Sequence, residues 1–507
     1  MKKYNYILVL MWMLLAAGPS FGQDGWRSAA PQKYIDKVAA DKIFRGSQLG
    51  VMAVKVNGDT VAAINPEKRL LPASNTKLLT TGLALNEFGP EHRFATKLAY
   101  SGAVDGNGVL HGDLYIIGGG DPTLASGDSI ATPTEELFSI WKGFVDAAGI
   151  KAIEGKIVGD GRYFNGMYIP RSWQYADLGT YYGTGGQGLS FYINAQDFRV
   201  AAGKNVGDPV SVELVYPQTP WMKFYYECTT GQPGTGDELY LYTSEFAPVA
   251  VMRGTFAVDR RPKTEGCANM FPALTCAWYF SEFLSSNGIS VSGGAADLDY
   301  NGFVRTEPVL GRGLYRAAEN LVTIGQTLSP TVEQIARVTN WRSDNYYAET
   351  LYRHIGLKRA ASADYAACQE TEAQAFAALG VCSEEVSIED GSGLSRHDYL
   401  TPSFFCTFLK AMMGSQSYEA YLRTIGWPGH GMYETRLARE PQSLKSRIRY
   451  KSGSMGGVRC YSGYVFPKSG RAEDTIVFSV LVNNCLASSE ELFPVLDKII
   501  ALIADEN

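Results

Sequence analysis

The stretch at residues 48–85, QLGVMAVKVNGDTVAAINPEKRLLPASNTKLLTTGLAL, decides how the fold is read. Residues 48–56 alternate and are β-rich, and Asn57-Gly58-Asp59 behind them is a good hairpin turn. A second short run at 61–64 completes a strand pair and leads into Pro72-Ala73-Ser74. Beyond it, Leu79 and Leu83 stand four apart and Leu78 and Leu85 seven apart, which predicts a helix from Ser74 to about Leu85. A serine therefore opens a helix just after a hairpin.

That serine begins Ser74-Asn75-Thr76-Lys77, an S-x-x-K string. Helix positions i and i+3 share a face, so the Lys77 amine reaches the Ser74 hydroxyl. A serine alone is a poor nucleophile, and a lysine whose pKa is lowered by burial or positive neighbours can activate it. Backbone N–H groups at the helix start lie near the reacting oxygen. The string alone is weak evidence, because a chain of this length holds roughly one or two by chance. Ser139-Ile140-Trp141-Lys142 is such a second match, mid-helix and without a strand before it.

Two further strings follow in order. Ser343-Asp344-Asn345 offers a second hydroxyl for proton relay and an amide for gripping a peptide backbone. Lys451-Ser452-Gly453 opens the C-terminal strands with a cation and a hydroxyl suited to a carboxylate, and Gly453 allows close backbone approach. Each has a bland competitor: Ser285-Ser286-Asn287 before a helix-ending Gly288, and Lys468-Ser469-Gly470 at a hairpin tip. S-x-x-K, S-x-N and K-S-G in this order, at a helix start, a loop and a strand, form the signature of serine penicillin-binding proteins and β-lactamases.

Outward from these motifs, residues 94–120 alternate and end in a Gly-rich run, 135–148 reads as a helix, and 151–200 holds short strands. Residues 205–258 read as strand and loop, and 276–284 as helix. Helical character returns at 332–338, 344–355 and 364–378. Strands follow at 460–466 and 475–484, then an amphipathic helix at 489–504. The first hairpin and the last hairpin-plus-helix read as two parts of one α/β (α+β) domain, which the chain leaves for a mainly β insert and re-enters.

The 507 residues, 45% hydrophobic and 19% charged, suit a folded chain of two to four domains. A net charge of −6 without a basic run points away from nucleic acid. Lys2 and Lys3, an apolar run at about 7–17 and Ser20-Phe21-Gly22 read as a secretory signal cut before Gln23. That run is short of the roughly 20 residues a membrane anchor needs, so membrane association is expected to be peripheral at most. Export makes some pairing of the eight cysteines an expectation, with Cys460 and Cys485 the best pair; the bland alternative is buried free thiols. Five scattered histidines, none in an HExxH arrangement, give no support to zinc chemistry, and neither metal nor cofactor is expected.

The chain resembles class C low-molecular-mass penicillin-binding proteins, the D-Ala-D-Ala carboxypeptidase/endopeptidase family (peptidase family S13). The stretches that carry the likeness are LPASNTKLLTT (71–81), HGDLYIIGGGDPTL (111–124), IEGKIVGDGRYF (153–164), RSDNYYAE (342–349), EDGSGLSRHDYLTP (389–402) and KSGSMGG (451–457). Ser452 stands where most members have threonine. The resemblance implies a β-lactamase/transpeptidase-like domain with an antiparallel sheet, interrupted by two nested, mainly β inserted domains. The expected division is signal peptide 1–22, core 23–92 and 321–507, outer insert 93–120 and 196–320, and inner insert 121–195.

It also implies that Ser74 forms an acyl-enzyme with peptidoglycan stem peptides or β-lactams, with Lys77 as base. Ser343 and Lys451 would deliver a proton to the leaving amine, and the N–H groups of Ser74 and Ser454 would hold the oxyanion. Asn345 would position the peptide, and Lys451 with Ser452 would hold its carboxylate. Asp177 resembles a residue that meets the free amine of a diaminopimelate side chain, and Arg396 one at the far end of that site; an exposed acid and an ordinary ion-pair partner are the bland readings. A secreted, periplasmic enzyme is expected. A β-lactamase or esterase on the same fold and a non-catalytic wall-binding protein are the alternatives. The one G-x-S-x-G string, at 18–22, lies in the signal segment and supports no α/β-hydrolase. Carboxypeptidase and endopeptidase action, oligomeric state and disulfide pairing are left open.

Overall fold

The alternation at 48–64 becomes strands Gln48–Lys55 and Thr60–Ile64, paired antiparallel around the Asn57-Gly58-Asp59 turn. The computed structural model describes residues 26–27, 29–299, 301–307 and 313–507; the expected signal segment at 1–22 lies outside them. Gln48–Lys55 pairs on its other side with Ile476–Asn483, more than 400 residues later in the chain. Val458–Val465 and Ile448–Met455 then complete a five-stranded, wholly antiparallel sheet.

Period two in Ile476–Asn483 sends Val477 and Leu481 to one face and Phe478, Val480 and Val482 to the other. The first face packs on the helices Thr76–Phe88, Val332–Arg342, Asn345–Ala360 and Pro402–Met413. The second is covered by the N-terminal helix Ala30–Ala39 and the C-terminal helix Ser489–Asp505, which buries Leu492, Leu496, Ile499 and Ile503. Each such leucine or isoleucine contributes roughly 1.5–3 kcal/mol by burial. Ser488 and Glu491 form a capping box that starts the C-terminal helix. The chain thus leaves and re-enters one three-layer domain.

Between the two visits lies a seven-stranded sheet, in the order Tyr315–Arg316, Phe303–Arg305, Ala295–Leu298, Ile157–Asp160, Leu114–Ile117, Ala95–Tyr100 and Val322–Leu328. Its central strands run parallel, which requires crossovers, and the helices Thr134–Ala147 and Pro272–Ser286 lie within those connections. Two three-stranded sheets, spanning residues 195–268, sit between Ile157–Asp160 and Ala295–Leu298 in the sequence.

All eight cysteines are free thiols, seven of them buried. The expected Cys460–Cys485 bridge is absent for a geometric reason. Cys460 pairs with Leu481 and points into the helix-rich core, whereas Cys485 lies in the core on the opposite face of the sheet. The strand Ile476–Asn483 ends before Cys485, and Asn484 turns left-handed at φ 56°, which carries Cys485 out of the strand's alternation to that other face. Among the described residues, no helix is long and apolar enough to cross a membrane.

Candidate active site

Ser74 sits in a single 3-10 turn, Ala73–Asn75, which runs directly into the helix Thr76–Phe88. Ala73 holds a positive φ of 47°, an uncommon conformation for a residue with a Cβ. Buried Asn75 donates its Nδ2 to Ser462 Oγ at 2.7 Å, tying the turn to the sheet. Gly453 comes close on the other side: a Cβ there would lie 2.6 Å from the Pro72 carbonyl oxygen and 3.1 Å from the Ser74 nitrogen. Only glycine allows the Lys451-Ser452-Gly453 strand to approach the serine this closely.

Lys77 is fully buried one helical turn on, and its Nζ meets three oxygens: Ser74 Oγ at 2.9 Å, Asn345 Oδ1 at 2.6 Å and the Ser392 carbonyl at 2.7 Å. Burial lowers its pKa from 10.5 to about 8, against the opposing pull of Asp390, Glu349, Asp344 and Asp398. As an ammonium it donates to all three oxygens. As a neutral amine it keeps two donors for Asn345 and Ser392 and turns its lone pair to the Ser74 hydroxyl. The site holds the amine in the geometry a base needs.

The helix Val332–Arg342 opens with a Thr331/Gln334 capping box and ends with Ser343 in a left-handed conformation, φ 56° and ψ 38°. That bend aims Ser343 Oγ at Lys451, whose Nζ donates to it at 2.9 Å and to the Ser452 carbonyl at 2.6 Å. Asp344 then caps the next helix through the Tyr347 N–H, which places Asn345 at its first turn. Lys451 is also fully buried; burial, and then the Lys77 charge, hold its pKa well below the usual lysine value. Two buried amines side by side repel one another when charged, so an anion placed against Lys451 would favour its ammonium form.

The structure therefore brings the five together as two bonded groups, Lys77 with Ser74 and Asn345 and Lys451 with Ser343, the two amines close enough for one charge to act on the other. A cleft of about 320 Å³ above them is lined by Ser74, Asn345, Ser454, Asp177 and Arg396, together with Tyr181, Tyr182 and Met455. Burial raises the Asp177 pKa, only partly offset by hydrogen bonding and by the Arg396 charge. Ser452 donates both its N–H and its hydroxyl to Tyr433 Oη, at 3.1 and 3.3 Å. The competing strings are elsewhere engaged. Ser139 bonds back to the Glu135 carbonyl and Lys142 pairs with Asp146, Asn287 bonds the Phe283 carbonyl at a helix end, and Ser469 bonds Asp474 in a turn.

Several contributors escaped the sequence reading. Glu349 lies one turn beyond Asn345 on the same helix face, and that four-residue spacing is the sequence signal for it. It accepts from Tyr365 Oη and from the Gly391 N–H, and burial with the neighbouring Asp390 raises its pKa to about 8. Buried Asp390 closes the 390–395 turn by accepting from the Gly393 and Ser395 N–H groups. Among the described residues, no group of three His, Cys, Asp or Glu side chains could hold a metal ion.

A serine at a helix start, backed by a buried lysine and faced by a second serine whose hydroxyl meets a lysine on an edge strand, is the arrangement of an acyl-transferring enzyme of the penicillin-binding class. Comparison with known proteins agrees: a profile of the D-Ala-D-Ala carboxypeptidase 3 (S13) family matches residues 31–504, and the chain belongs to that family. A D-alanyl-D-alanine carboxypeptidase of Actinomadura sp. (strain R39) is 26% identical over 484 residues, 93% of this chain and 85% of that protein. The crystal structure of penicillin binding protein 4 from Haemophilus influenzae superposes with a TM-score of 0.75 at 20% identity, covering 92% of this chain and 98% of that one. The same protein complexed with a novel β-lactam superposes at 0.70, again at 20% identity, with 92% and 98% coverage.

Proposed function

We propose that this S13-family serine peptidase cleaves the bond before the last D-alanine of peptidoglycan stem peptides, through an acyl-enzyme at Ser74. The observation that carries the reading is the Lys77 amine, bonded at once to Ser74 Oγ and Asn345 Oδ1 in a buried site. Ser74 Oγ attacks the scissile carbonyl carbon while its proton passes to neutral Lys77. The Ser74 and Ser454 N–H groups hold the resulting oxyanion. As the C–N bond breaks, Ser343, relayed by Lys451, protonates the leaving amine. The proton taken up by Lys77 replaces the one given by Ser343 and Lys451, leaving Lys77 neutral; Lys77 then takes a proton from the water that attacks the ester carbonyl and returns it to Ser74 Oγ as the C–O bond breaks. A terminal carboxylate on the substrate meets Lys451 and Ser452 and restores the Lys451 charge that burial disfavours.

Carboxypeptidase and endopeptidase action share this acyl-enzyme and differ only in the leaving amine. Asp177 and Arg396, in the same cleft, are proposed to read the third residue of the stem peptide, Asp177 through a free amine. A β-lactam, opened by the same attack, stays on Ser74. The expected export and periplasmic location belong to this proposal, as does the nested architecture. The two small sheets spanning 195–268 support an inner insert there rather than at 121–195, whose strands pair with 109–117 and 290–298.

Intact-mass analysis after incubation with penicillin tests the assignment. One adduct per chain is expected in the wild type and none in Ser74→Ala; undiminished labelling of the variant would overturn it. Rapid turnover of a chromogenic β-lactam, instead of stoichiometric labelling, would favour a β-lactamase.

A further inference from the structure

Two of the three oxygens that fix the Lys77 amine are themselves held by one short piece of the inserted region. Asn345 accepts from Lys77 with Oδ1 and donates with Nδ2 to the Tyr182 carbonyl at 2.9 Å. Ser392, the second acceptor, sits in the turn that Asp390 closes, and Asp390 Oδ2 also receives the Trp173 indole N–H at 2.6 Å. Trp173 and Asp390 are both buried, so this bond is shielded from competing water. Between Trp173 and Tyr182 the same segment carries Asp177 and Tyr181 into the cleft.

Resting on the proposed function, we infer that Trp173 is a positioning residue for the acyl-transfer step: through Asp390 it holds the Ser392 carbonyl against Lys77, so segment 173–182 both lines the substrate cleft and orients the base. The inserted region is then part of the chemistry as well as of recognition. A substrate side chain that settles the segment through Asp177 also settles both Asn345 and the 390–395 turn. The opposite side of that turn is pinned by Thr80 Oγ1, which donates to the Gly391 carbonyl at 2.6 Å.

The groups facing the amine define what a pH profile reports. Asp390 and Glu349 lie behind it, Asp344 and Asp398 bear on it from neighbouring segments, and Lys451 faces it across the pocket. A carbonyl that drifts from Lys77 takes stabilisation from the ammonium form, so the acid limb of acylation moves to lower pH. The misplaced amine also slows the step, on the order of tenfold for a displacement well under 1 Å.

Trp173→Phe keeps an aromatic ring but removes the indole N–H, with some loss of melting temperature from the smaller buried side chain. Expected with penicillin are complete one-to-one labelling of Ser74, a rate about tenfold lower than wild type, and an acid limb displaced downward, in protein that stays folded at the assay temperature. Wild-type rate and an unmoved limb would overturn the inference. If the Phe variant fails to fold, Thr80→Val loosens the same turn from its other side and must show the same pair of changes; an unchanged rate and limb there would overturn it equally. Absence of labelling in the wild type would instead sink the proposed function, so the two failures are distinguishable.

Discussion

Replacing Gly453 by alanine puts one methyl group where the site has no room. The added carbon would lie 2.6 Å from the Pro72 carbonyl oxygen, 3.0 Å from the Asn75 nitrogen and 3.1 Å from the Ser74 nitrogen, whereas ordinary contact begins at 3.4 Å. The shortfall at Pro72 is 3.4 − 2.6, or about 0.8 Å. All three neighbours are backbone atoms of the nucleophile turn, so no side chain can swing aside. The turn and the 448–455 strand must separate by about that amount. Separation opens the proposed oxyanion pair, since one N–H belongs to the turn and the other to Ser454, the next residue on the strand. Misplacement of this size costs about a hundredfold in acylation rate, or roughly 2.7 kcal/mol. The bonds of Lys77 to Asn345 and to the Ser392 carbonyl lie outside the displaced turn, so the acid limb of the rate should stay close to its wild-type position. Time-resolved intact-mass analysis with penicillin across pH measures both quantities. A rate within about twofold of wild type, or a displaced limb with an unchanged plateau, would refute the reasoning.

Three other outcomes follow from the same geometry. Acylation should rise with pH through a limb near 8, where Lys77 sheds its proton, and Lys77→Arg, always charged, should not acylate at any pH; a limb set by an ordinary lysine would contradict this. Glu349, raised from 4.5 to about 8, binds its proton more tightly when folded, so its contribution to stability is full below 4.5 and is lost as pH rises through about 8. Glu349→Gln should therefore gain melting temperature relative to wild type toward alkaline pH, and a difference constant across that window would count against the buried neutral acid. Tyr433→Phe removes the phenol oxygen that receives both Ser452 donors; KM for a D-Ala-D-Ala peptide should change by roughly fivefold with kcat little altered, and an equal loss in kcat would point to a different role.

The parts of the site that were legible in the sequence are those written in consecutive residues. Ser74 and Lys77 share one helical turn, Ser343 and Asn345 straddle a helix start, and Lys451 to Gly453 occupy one strand, so local periodicity and order sufficed. Trp173, Tyr182, Asp390 and Tyr433 act through bonds across the fold, and nothing in their immediate neighbours distinguishes them from ordinary loop or core residues. A local turn explains the cysteines: strand alternation continued to 485 would put Cys485 on the face of Cys460, but the left-handed Asn484 ends the strand and sends it to the other. The helix Pro402–Met413 carries a clear signal, with Thr401 and Pro402 at its start and Phe404, Phe405, Phe408, Leu409 and Met412 at four-residue steps on its buried face, yet it lies outside the helices expected from the sequence.

The central sheet joins the earliest strands of the chain to the latest, and this sets an order of events. Ser74 emerges from the ribosome about 380 residues before Lys451, and the strand at 476–483 that locks the first hairpin arrives later still. Until then the serine has neither its strand nor its second amine, so a growing polypeptide carries no working hydrolase. Completion of synthesis is itself the safety catch.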